Sequence, residues 1–241
     1  MPASSPFLMS LPQQIKLRAG DVPVRVRMSP RARRLALRID AQAEAVELVL
    51  PRRISARRAK AFIEENRAWL DKRITALPPR TVLADGAIVP ILDEPHVIRR
   101  VDVTSDRQHV WIDDDEIFVA AAPDQLARRV VEFLKERARG EFHRRAATLS
   151  ARIGRKMGRI TVRDTTTRWG SCAASGNLAF SWRLIMAPDA VLEYVVAHEV
   201  AHLAEMNHGP RFWNLVEKLA PGVDRQRDWL NRHRARLLRI G

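Results

Sequence analysis

The run His198-Glu199-Val200-Ala201-His202 places two imidazoles four residues apart with a carboxylate between them. On a helix both histidines share one face and reach one metal ion, while Glu199 sits one position round, beside the ion. That offset suits a general base acting on a metal-activated water. With 7 His in 241 residues, chance yields this pattern with a probability of only about 0.01. Its surroundings strengthen the reading. The flanking residues are apolar almost all round, and each unpartnered polar group buried among them costs about 2–7 kcal/mol. A metal and its water remove that cost, whereas a purely structural helix needs only Leu and Ala there.

A catalytic zinc takes three protein ligands and keeps a fourth position open. His208 is the leading third ligand and Glu205 its rival. On an uninterrupted helix His208 would lie about 15 Å beyond His198 along the axis, so the chain must turn back. Asn207-His208-Gly209-Pro210 supplies helix-ending and turn residues that allow it. Glu205 lies one turn beyond His202, but a carboxylate third ligand normally arrives from a separate helix. The His spacing matches that of metzincins, yet Glu205 stands where their turn glycine belongs and no methionine follows Met206. A metzincin proper is disfavoured.

The elements that must position these groups follow from apolar periodicity. The site helix is expected over 189–206, after Pro188. A long helix runs from Leu126 to Ile153, with Pro123-Asp124 before it and Gly154 just past its end. Strands are expected over Val22–Arg27, Leu35–Ile39, Ala45–Leu50, Arg159–Arg163 and Asn177–Met186. Ser55 opens one amphipathic helix that ends at Pro78-Pro79. Val110–Ile112 and Ile117–Val119 flank Asp113-Asp114-Asp115-Glu116 as a hairpin, whose acidic tip lacks calcium-loop spacing and reads as a solvated turn. A short helix begins at Pro210 and a last, arginine-rich one runs from about Asp224 to Leu238. No internal repeat is visible.

With 46% apolar and 29% charged residues the chain is globular, which excludes fibrous and disordered classes. The net charge of +14 is carried by 36 Arg and 6 Lys and divides as +10, −6 and +10 over 1–80, 81–120 and 121–241. Nucleic acid is a possible partner of the clusters at Arg31-Arg33-Arg34, Arg52-Arg53-Arg57-Arg58 and Arg225 to Arg239. No helix-turn-helix, OB or RRM signature accompanies them, and 6% aromatics is poor material for base stacking. The single cysteine, Cys172, permits no intramolecular disulfide. Met1 to Gln14 lacks the charged and apolar regions of a signal peptide, and no apolar run reaches spanning length. A soluble, cytoplasmic protein without a membrane partner is expected.

Arg168-Trp169-Gly170-Ser171-Cys172, Gly176-Asn177-Leu178, Trp182-Arg183-Leu184 with Pro188, Tyr194 to Leu203, Asn207-His208 and Phe212-Trp213 together resemble the YgjP-like metallopeptidases, which are kin to SprT-type and WLM-type zinc proteases. The similarity covers most of the chain, including the Arg-rich β segment and Trp-bearing helix of Arg31 to Leu77. Gly209 replaces the Ser commonly seen after Asn-His. The resemblance implies an α+β protein: a zincin-like metallopeptidase domain with a β-rich N-terminal part. It implies His198, His202 and His208 as Zn2+ ligands and Glu199 as catalytic acid/base.

The expected division is a flexible tail at 1–20, a β-rich part with one long helix at 21–122 and the catalytic domain at 123–241. The expected function is zinc-dependent hydrolysis of a polypeptide substrate. Two alternatives stand beside it: a nucleic-acid-associated accessory protein whose metal site is regulatory or vestigial, and a zinc amidohydrolase acting on small amides. Tyr194, Arg168 and Asn207 are candidate oxyanion donors on sequence proximity alone. Arg168 to Cys172 is expected to form a tight turn, with Gly170 giving backbone freedom, Trp169 packing, and Cys172 a small buried thiol. Phe212 and Trp213 are expected to cap the core beside His208. His96, His109, His143 and His233 have no ligand-spaced partners.

Overall fold

The computed structural model describes residues 10–102 and 110–241. The chain divides into two compact units, Met1–Pro79 and Arg80–Gly241. The division therefore falls at the Pro78-Pro79 pair, not at 122/123, and the segment after Thr81 belongs with the site. His109 and residues 1–9 of the expected tail lie outside the described residues. From residue 10 onward that tail is not free: Leu11, Ile15 and Leu17 are buried and β1 (Gln14–Leu17) is a strand.

In the first unit β1, β2 (Gly20–Met28), β4 (Ala45–Leu50) and β3 (Ala36–Asp40) form one sheet in that order. The outer pairs are antiparallel, and β2 and β4 run parallel. Two helices, α1 (Ala56–Glu65) and α2 (Arg67–Thr75), replace the single expected one. Ser55 caps α1 by accepting from the Arg58 N–H, as its position predicts. Asn66 breaks the run: its side-chain amide donates to the Phe62 carbonyl at 2.8 Å, which offers the backbone an alternative to helix continuation. Ala59, Ile63, Leu70 and Ile74 pack with Val46, Leu48 and Leu50 into one core.

The second unit opens with a sheet of the same topology. Strands β5 (Ile88–Ile91), β6 (Glu94–Val101), β8 (Glu116–Ala120) and β7 (Val110–Asp113) lie in that order, with antiparallel outer pairs and a parallel central pair. The repeat that the sequence does not show is thus present in topology. The acidic tip is the expected hairpin turn. A 27-residue helix, α3 (Leu126–Arg152), then lays Leu126, Val130, Leu134, Ala138, Phe142, Ala146 and Leu149 on one buried stripe. Gly154, at φ 62°, ends it in the left-handed conformation that glycine adopts without strain.

Beyond α3 a three-stranded sheet forms in the order β10 (Gly170–Cys172), β11 (Leu178–Ser181), β9 (Ile160–Arg163). The strand expected to reach Met186 stops at Ser181 and gives way to a short 3-10 turn over Trp182–Met186. Three helices complete the unit: α4 (Asp189–Ala201), α5 (Pro210–Leu219) and α6 (Val223–Leu238). Phe180 of β11 stacks on Phe142 of α3 at 4.6 Å, joining sheet and helix in the core that surrounds α4. Among the described residues no helix is long and apolar enough to cross a membrane.

Candidate metal centre

Helix α4 is buried nearly all round: Val191, Leu192, Val195, Val196, Ala197, Val200 and Ala201 are all inaccessible. Its position is fixed at the N-terminus by a buried guanidinium. Arg145 of α3, 5% exposed, hydrogen-bonds Glu193 at 2.8 Å and Glu141 at 3.0 Å and also grips Asp189. Burial works against its positive charge. Its hydrogen bonds to Asp189 and Glu193 outweigh that and hold its pKa above the usual value.

The helix ends one turn earlier than 206. Ala201 is its last residue, His202 caps it, and bonds from Leu203 N to Val200 O and from Ala204 N to Ala201 O tighten the chain into a turn. Gly209, extended, and Pro210 at the first position of α5 launch the next helix. The reversal returns His208 to the start of the motif.

His198, His202 and His208 each present a ring nitrogen to one locus, all within 4.8 Å of one another. His198 Nε2 and His208 Nε2 stand 3.2 Å apart. A tetrahedral ion with metal–nitrogen bonds of about 2.0–2.1 Å sets its ligand nitrogens about 3.3–3.4 Å apart, so this pair fits directly and the others need a modest contraction. His202 Nδ1 donates to the Glu205 carbonyl at 3.1 Å, which fixes the tautomer and leaves Nε2 with its lone pair toward the cluster. His198 Nδ1 is buried and has no hydrogen-bond partner among the described residues. Burial, reinforced by the neighbouring His202 and His208, lowers the His198 pKa to about 4, and burial likewise lowers that of His202. The nitrogen-only donor set suits a borderline-soft divalent metal. Glu205, the rival, contributes its carbonyl to His202; its carboxylate is not in the cluster.

Glu199 is 6% exposed and lies against β10. Burial raises its carboxyl pKa to about 7, with the positive charge of Arg168 opposing the shift. A Cβ built on Gly170 would come 2.5 Å from Glu199 Oε1 and 2.6 Å from its Cγ. Glycine is therefore required there for close approach of the carboxylate, not for the backbone freedom expected of a turn. Cys172, half-buried on the same strand, has its thiol pKa raised by burial and then by Glu199.

Phe212, fully buried, supports all three imidazoles, with ring centroids 4.9, 4.5 and 4.7 Å from His198, His202 and His208. Trp213 flanks His198 at 5.6 Å and His208 at 5.7 Å. Of the candidate oxyanion donors, Tyr194 has its ring 6.1 Å from that of His198. Its pKa is raised by burial, Arg227 opposing and Glu199 and Asp224 adding to it. Arg168 acts on Glu199 through its charge, and Asn207 is exposed. The other described histidines stay apart: His96 bonds the Glu94 carbonyl, His233 stacks on Trp229 at 4.2 Å, and His143 is exposed. Gly170 and Phe212 stand in the motifs that carry the family resemblance, but their contacts with Glu199 and the imidazoles are seen only in three dimensions; Arg145 has no sequence signal and is placed by its partners on α4.

A mixed α+β architecture carrying a helix-borne histidine pair, a third histidine returned by a turn, and a buried carboxylate is the framework of a zincin-like metalloenzyme. The family model for the YgjP-like, metallopeptidase domain matches residues 33–233, and the chain belongs to that family. No curated protein and no solved structure matches the chain.

Proposed function

We propose that the protein is a zinc-dependent peptidase that hydrolyses peptide bonds of a polypeptide, with His198, His202 and His208 as metal ligands and Glu199 as acid/base. The observation that carries this reading is the pairing of a three-imidazole cluster with a buried carboxyl whose pKa is raised to about 7. A zinc ion held by the three imidazoles supplies Lewis acidity, polarising a scissile carbonyl and lowering the pKa of a water toward about 7.

The chain's own groups supply the rest. Burial favours the neutral forms of His198 and His202, and the Glu205 carbonyl orients His202. Glu199 accepts a proton from the attacking water at its carboxylate and returns it to the leaving nitrogen as the C–N bond breaks, so the carboxylate is regenerated. A carboxyl tuned near neutral pH serves both directions of that transfer. Gly170 leaves the room that Glu199 occupies, and Phe212 packs against all three rings. A reducing, cytoplasmic setting belongs to the same reading, supported by the single cysteine.

The test is cleavage of an unfolded polypeptide by zinc-loaded wild type and Glu199→Gln, alongside small amide substrates. Polypeptide cleavage lost at least a hundredfold in the variant with zinc retained supports the proposal. Cleavage of small amides alone makes the protein an amidohydrolase. Full metal loading without hydrolysis of either, beside salt-dependent nucleic-acid binding, makes the site an accessory one.

A further inference from the structure

The sheet that carries Gly170 has a second face. Ile160, Val162, Leu178 and Phe180 alternate inward, and Phe180 stacks in the core. By the same alternation Thr161 and Arg163 of β9, Ala179 of β11 and Ser171 of β10 face outward. That outer face forms a groove of about 300 Å³, lined by Arg159, Arg163 and Arg168 with Thr161, Ser171 and Asn177 and by no acidic residue. All three arginines are exposed, and among the described residues none forms an ion pair with a carboxylate. Asp164, next to Arg163 in sequence, pairs with the buried Arg183 at 2.9 Å. A concave surface with three exposed guanidiniums and flanking hydroxyls is built for carboxylate or phosphate oxygens.

Two observations choose between those anions. Trp169 lines the groove but is partly buried against the core, and its ring lies under the Arg234 guanidinium at 5.6 Å, itself held on the Thr166 carbonyl. Nucleic-acid bases therefore find no open stacking platform. Arg159, Thr161 and Arg163 repeat every second residue, at about 6.6 Å, the same interval at which an extended polypeptide presents side chains on one face. The groove also adjoins β10, whose Gly170 touches Glu199, and Arg168 is close enough to act on Glu199 through its charge.

We propose that this groove holds the acidic flank of the polypeptide substrate, receiving Asp or Glu side chains at alternate positions of an extended segment on Arg159, Arg163 and Arg168. The inference rests on the peptidase reading and names its substrate class. Its direct readout is binding, so it is separable from catalysis.

The experiment measures fluorescence anisotropy of a labelled decapeptide with Glu at alternate positions, and of its Gln counterpart, on full-length zinc-loaded Glu199→Gln protein. The Glu peptide is expected to bind at least tenfold more tightly at low salt and to lose that advantage as salt rises. Adding Arg159→Gln and Arg163→Gln weakens the Glu peptide about tenfold, whereas Arg52→Gln with Arg53→Gln, an equal loss of exposed charge in the first unit, leaves it unchanged. Equal binding of the two peptides, or equal weakening by both pairs of substitutions, overturns the proposal. An oligothymidylate of the same charge that binds more tightly and is released by Arg159→Gln and Arg163→Gln overturns it in favour of nucleic acid. Selective binding by a protein that hydrolyses no peptide sinks the peptidase reading and leaves an acidic-peptide site.

Discussion

Replacing Gly170 with alanine adds a single methyl group where Glu199 already lies. The new Cβ would stand 2.5 Å from Glu199 Oε1, 2.6 Å from Cγ and 2.8 Å from Cδ, and these are its three nearest contacts. Ordinary carbon contacts are about 3.5–4.0 Å, so the carboxyl must retreat by about 1 Å. Glu199 is buried on a helix packed on nearly every side, so the retreat moves the proposed acid/base off its position and does not dissipate into solvent. A displacement of that size costs about 10²-fold in rate, equivalent to about 2.7 kcal/mol of barrier, and overpacking costs about 1–3 kcal/mol of stability. Steady-state kinetics with zinc content measured on the same preparations gives the answer. Gly170→Ala should lower kcat about a hundredfold, keep one zinc per chain and leave KM within a few fold. In the double variant with Glu199→Gln the glycine change should cost nothing further, because the group it displaces is already inert. A wild-type kcat, or a double variant another hundredfold below Glu199→Gln, refutes the reasoning.

Three further outcomes follow from the same contacts. In the metal-free protein Glu199 titrates near 7 against 4.5 when unfolded, so folding is unpenalised below about pH 4.5 and loses about 3 kcal/mol as pH rises through 7. Glu199→Gln apoprotein should then be more stable than wild type by about that amount at pH 8 and equal to it at pH 4.5 in urea titrations. Arg145→Met leaves Glu141 and Glu193 without their shared cation and should lower stability by about 2–4 kcal/mol, read as a shift in the urea midpoint. His208→Ala should weaken zinc at least a hundredfold in competition with a chromophoric chelator, and Glu205→Gln only a few fold; the reverse order would make Glu205 the ligand.

The site's core was readable because its chemistry is local. His198, Glu199 and His202 need only the helical period to converge, and Pro188 and Pro210 mark where their helices start. The return of His208 was inferable from the turn residues, although the reversal begins at His202, before Asn207. What escaped the sequence depends on distant pairings. Gly170 reads as a turn residue until β10 is seen to run beside α4. Arg145 looks like one more surface arginine of a basic helix until Asp189 and Glu193 arrive from α4. Asn66 splits a continuous apolar pattern through one side-chain bond that periodicity does not register. The shared topology of the two four-stranded sheets left no residue repeat because strand order is set by register and packing, which many sequences satisfy.

X-ray diffraction at the zinc absorption edge, from crystals grown with zinc, tests the ligand assignment most directly. A single anomalous peak about 2.0–2.1 Å from the Nε2 atoms of His198, His202 and His208, with the Glu199 carboxylate beside the ion and not bound to it, is the expected result. A peak held by the Glu205 carboxylate in place of His208, or no peak at the cluster at all, contradicts it.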